Sequence, residues 1–129
     1  MDQGARHPRP PVDLTTHVVR PEERDRVVLL CHDQEHLREA AAFVVLHVDP
    51  AETEEQPYLV REVLFRAGAL GQLLCLGATA AEIGVTAVGD FHPDGWRDLV
   101  GLPLGREVLY VVALGRPTLT ANPVQASCG

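Results

Sequence analysis

Fifteen consecutive residues, Ala67 to Ala81, carry no charge, and they sit inside a segment with helical periodicity. Val60, Val63, Leu64, Ala67, Leu70, Leu74, Ala78 and Ala81 recur every three or four positions between Tyr58 and Ile83. That spacing predicts one long helix, ended by Gly84. A helix without charge on any side has no solvated face, so it should enter the interior, buried on most sides. Gly68, Gly71 and Gly77 each weaken a helix by roughly 1 kcal/mol relative to Ala, which suggests that another helix or a flat ligand approaches closely. Gln72 is the one strong hydrogen-bonding side chain in this stretch. A buried amide needs a partner, because leaving it bare costs about 1–3 kcal/mol, and either backbone or ligand could serve.

The remaining segments supply a small sheet to receive that helix. Ala41–Asp49 and Glu107–Leu114 are apolar almost throughout and rich in β-branched residues, as in strands covered on both faces. Val85–Val88 is a shorter strand that leaves into the turn Gly89-Asp90-Phe91, and a small helix carrying Trp96, Leu99 and Val100 follows His92. Pro21 with Glu22 and Glu23 starts a helix reaching about His32, with a further helical turn near Glu35–Ala40. The fold class is α+β. Residues 1–20 read as an extended arm, 21–117 as one domain and 118–129 as a tail.

Charge and composition exclude whole classes of function. The 129 residues include 11 basic and 18 acidic side chains, a net charge of −7, which opposes a broad footprint on nucleic acid or anionic lipid. The opening MDQGARHPRPPVD lacks the apolar core of a signal peptide, and the longest uncharged run is too short to cross a bilayer, which places the chain in the cytoplasm. Ser127 is the sole serine and stands in the tail, so no serine nucleophile has a strand-to-helix elbow, and no Gly-rich phosphate loop occurs. Cys31, His32 and His36 put two imidazoles four residues apart beside a thiol, but further ligands are missing nearby, and a solvated helix end is the better reading. His47, inside an apolar strand, reads as a core or edge histidine with a hydrogen-bond partner.

Taken in order, RAGALGQLLCLGATAAEIG, VTAVGDF, a small helix with Gly-Leu, and EVLYVVALGRP resemble the C-terminal half of the flavin-dependent nitroreductases. The branch that resembles them most is the azoline-oxidising dehydrogenases of thiazole and oxazole peptide biosynthesis. The resemblance implies a nitroreductase-like half-fold, a long buried central helix on a small sheet, and an FMN-dependent oxidoreductase. It puts Gly89, Asp90 and Phe91 beside the isoalloxazine, Arg116 on the phosphate, and Gln72 in the family's Gly-x-x-x-Gln helix segment. The residues themselves indicate no metal site. Family members open on an Arg-x-Ser-x-Arg-like segment that grips the phosphate, and this sequence contains none. The expectation is therefore a subunit that carries out two-electron dehydrogenation of an azoline or peptide-derived ring, in a small-molecule or peptide substrate, as a homo-oligomer or a hetero-oligomer with a second nitroreductase-like chain. The alternative is a non-catalytic scaffold subunit, or a truncated family member, that binds no flavin.

Overall fold

The computed structural model describes residues 12–52 and 58–116. Four antiparallel strands form one sheet in the order β1-β2-β4-β3, with β1 at Asp13–Val18, β2 at Ala42–Val48, β3 at Gly84–Val88 and β4 at Glu107–Gly115. Three helices accompany it: α1 (Arg24–Leu30), α2 (Tyr58–Ala80) and α3 (Pro93–Leu99).

The centre of the sheet is apolar on both faces because a helical layer lies against each. On one face, Phe43 and Val45 of β2 and Val111 and Ala113 of β4 pack with Val27 and Leu30 of α1 and Trp96 of α3. On the other, Val44, Leu46 and Val112 meet Ala67, Cys75 and Ala78 of α2. The two-residue alternation of a strand sorts β2 and β4 between these cores, and this is why both sequences are continuously hydrophobic. Phe43 and Trp96 anchor the first core with ring centroids 4.8 Å apart.

β1 departs from the expected arm. Asp13–Val18 pairs with β2 from Asp13 opposite His47 to Val18 opposite Ala42. Its outer edge is free within the sheet, and Leu14 and Val18 remain exposed, so the segment carries little of the hydrophobic pattern that marks an interior strand. The turn after it is held by Glu23. The buried carboxylate accepts the Arg20 backbone N–H at 3.1 Å, His17 Nε2 at 2.8 Å and Arg20 Nη2 at 2.7 Å.

α2 packs on the sheet through one face only, which corrects the expectation of burial on most sides. Val63, Ala67, Cys75 and Ala78 point inward, while Leu64, Phe65, Leu73 and Leu76 face outward, Phe65 with 76% of its surface exposed. By length and composition alone, the Arg61–Ala80 stretch, which adds Arg61, Glu62 and Arg66 to most of the uncharged run, could cross a membrane. Its inner face is nevertheless part of the core against β3 and β4. Gly71 answers the question of close approach: a Cβ there would stand 1.9 Å from the Tyr110 ring of β4. The flat partner is an aromatic side chain of the same chain. Gly68 and Gly77 have nothing within 4 Å of that position.

Candidate functional site

The turn Gly89-Asp90-Phe91 leaves the C-terminal end of the edge strand β3, where Val88 pairs with Val111. Gly89 and Asp90 are exposed, and Phe91 tucks against the core shared by α1 and α3. A Cβ added to Gly89 would meet nothing within 4 Å.

The turn is fastened from behind by the end of α1. The Gln34 amide donates to the Asp90 carbonyl at 2.9 Å and to the Cys31 carbonyl at 2.8 Å, and the His92 backbone N–H donates to the Leu30 carbonyl at 2.8 Å. His32 stacks on His92 with centroids 4.0 Å apart, and its Nε2 lies 3.3 Å from Asp90 Oδ1. His32 and Asp33 reach these positions through left-handed backbone, φ 53° and 59°, a conformation that costs energy for residues other than Gly. The sequence reading saw His32 only as a member of a thiol–imidazole cluster. In the fold Cys31 faces inward, fully buried, and desolvation pushes its thiol up to about 12, while His32 and His36 are exposed. The three do not converge.

Arg116 follows Gly115 at the other end of the same ladder, where Gly115 pairs with Gly84. Four residues of β3 separate the paired ends, about 13 Å at strand rise, so the turn and Arg116 stand at opposite ends of β3–β4. Gln72 is half-buried on α2, about 12 Å along the helix axis from Ala80. Of the five residues singled out for a cofactor, the structure brings Gly89, Asp90 and Phe91 together in one turn and sets Arg116 at the other end of the ladder. Among the described residues a cavity of about 390 Å³ forms a groove beside α2, lined by Leu14, Leu70, Leu73, Leu74, Ile83 and Leu114 together with Gly77 and Ala78. Every wall is apolar.

An antiparallel four-stranded sheet with a long helix on one face and two short helices on the other, its edge strand opening into an exposed glycine turn, defines an α+β protein of nitroreductase architecture. The sequence matches the nitroreductase family over residues 8–116, and the chain belongs to that family. Solved structures agree. The Bacillus subtilis oxidoreductase YcnD superimposes with a TM-score of 0.68 at 16% identity, covering 91% of this chain and 52% of its own. The NADPH:FMN oxidoreductase of Vibrio harveyi, complexed with NAD+, gives 0.65 at 23% identity, covering 82% and 50%. A nitroreductase structure from Anabaena variabilis gives 0.62 at 33% identity, covering 74% of this chain and 20% of its own. The chain thus spans a fifth to about a half of these neighbours. No match was found among curated protein sequences.

Proposed function

We propose that this chain is a subunit of an FMN-dependent oxidoreductase, acting in the cytoplasm on an azoline or another peptide-derived ring, with a second nitroreductase-like chain completing the flavin site. The observation that carries this reading is the outward face of α2. Leu64, Phe65, Leu73 and Leu76 are all exposed on α2, Leu73 also lines an apolar groove, and apolar surface left uncovered marks an association surface.

The residues present suit FMN on two counts. Gly89 leaves its backbone open to a flat ring, as nothing stands within 4 Å of its missing Cβ, and Arg116 is exposed at the far end of the ladder, as a contact for the distant phosphate would be. Bound there, FMN supplies reversible two-electron chemistry. The chain's own contributions would be a backbone N–H from the Gly89-Asp90-Phe91 turn aimed at the ring, a charge-assisted pair from Arg116 to the phosphate, and the Gln72 amide where helix and partner meet. Gln34 and His32 hold the turn in place from the α1 side.

The scaffold alternative draws on a different feature. The groove is apolar on every wall and contains none of the five cofactor candidates, as a surface for protein alone would.

Flavin titration of the chain with its co-purifying partners separates the two readings. Arg116→Ala should raise the FMN dissociation constant roughly tenfold to a hundredfold, with turnover recovered at excess FMN. Gly89→Val should leave thermal stability near wild type, because its side chain enters open space, while slowing flavin reduction at saturation. Two variants indistinguishable from wild type would leave the scaffold role.

A further inference from the structure

His47 is 5% exposed, yet it is the hub of a polar cluster that the flavin reading does not use. It sits on β2 at a bulge, where Leu46 pairs with Tyr110 and His47 with Val108. Arg106, in the turn ahead of β4, aims Nη2 and Nε at His47 Nδ1 from 3.0 and 3.2 Å. A guanidinium can only donate, so Nδ1 must carry the lone pair and the ring proton must be on Nε2. That Nε2–H then donates to Thr15 Oγ1 of β1 at 2.8 Å. Arg106 also pairs with Asp13, directly across from His47 on the edge strand. The neutral ring thereby ties the start of β1 to the turn before β4.

We propose that this cluster is an acid-opened latch on β1. A proton taken up at Nδ1 removes the acceptor that Arg106 uses and sets a second cation against the guanidinium. The charges acting on the ring are Arg106, which opposes protonation, and Asp13, which favours it; burial opposes it most strongly, so the ring titrates below its ordinary 6.5. Relief comes when Arg106 swings away, freeing Asp13 and Thr15 from their partners. The far end of β1 is held independently of this cluster, by the 2.8 Å hydrogen bond between His17 Nε2 and the Glu23 carboxylate. Opening therefore starts at Asp13 and exposes the β2 edge. Leu14, on the opposite face of the same strand, is a wall of the groove beside α2, so acid removes that wall.

The test is amide hydrogen exchange of β1, corrected for intrinsic rates, across mildly acidic to neutral pH. Opening of β1 in the wild type should rise by up to about tenfold per pH unit below 6.5, until the latched ring itself titrates, while β3–β4 amides stay protected. His47→Gln, which keeps a hydrogen-bonding side chain without titrating there, should flatten that dependence. An identical pH dependence in wild type and variant overturns the latch. If the variant does not fold, direct NMR titration of the wild-type ring decides: a midpoint below 6.5 supports the latch, and one at or above 6.5 overturns it.

Discussion

Glu23 shows how one side chain can set the acid limit of the fold. Chiefly through the Arg20 backbone N–H, and then through His17, its carboxyl is held at about 2 against an ordinary 4.5. A depressed carboxylate contributes stability that is fully present above its unfolded value and is lost as pH falls toward the folded one. The window here runs from about 4.5 down to about 2. Glu23→Gln should cost about 1–3 kcal/mol at neutral pH, because three donors, the Arg20 backbone N–H, His17 Nε2 and Arg20 Nη2, lose their charged acceptor. It should also flatten the acid limb of stability in that window. Denaturant titrations of both proteins over that range check this, and parallel acid limbs would show that another carboxylate is responsible. In the sequence Glu23 marks only a helix start beside Pro21 and Glu22. The reach back to His17 depends on β1, which the sequence expectation did not include.

At the scale of elements, the long helix and three strands were legible because their hydrophobic runs are long and their periods distinct. Tyr58–Ala80, Ala42–Val48 and Glu107–Gly115 lie within a residue or a few of the expected spans. β1 was not legible: a free edge needs no continuous apolar pattern, and Leu-Thr-Thr-His-Val is too short to stand out beside the proline-rich start. Gly68, Gly71 and Gly77 of α2 were expected to mark close approach of another helix or a flat ligand, but only Gly71 has a close neighbour, the Tyr110 side chain. A matched pair of substitutions separates the cases. Gly71→Ala gains roughly 1 kcal/mol of helix propensity but forces the Tyr110 ring out of its place, so the net effect should be a loss of about 1–2 kcal/mol. Gly68→Ala meets nothing and should gain up to about 1 kcal/mol. Thermal or denaturant unfolding of the two variants reads the signs, and equal effects would mean that Tyr110 yields without cost.

Across the whole molecule, both cores fill the space between helices and sheet, but α2 leaves an apolar face outside them. Its lack of charge predicted cover on most sides, and the chain provides it on one. Where the proposed cofactor contacts would lie followed from the resemblance, not from the residues. Nothing in GDF or GRP alone says that one stands at the far end of a strand ladder from the other, since register is a property of the assembled sheet. Leu73→Gln, at an exposed position on α2 and a wall of the groove, should weaken self-association or partner binding at least tenfold without lowering the stability of the chain. Equilibrium sedimentation beside a melting curve would show this, and unchanged association would move the interface elsewhere.

Sedimentation velocity followed at the flavin absorbance band tests the central claim most directly, because it asks in one run whether FMN travels with the protein and with which species. The account predicts that flavin moves with a dimer or a larger complex and is absent from the monomer boundary. Flavin moving with a compact monomer, or staying free while the protein sediments as a concentration-independent monomer, would contradict it.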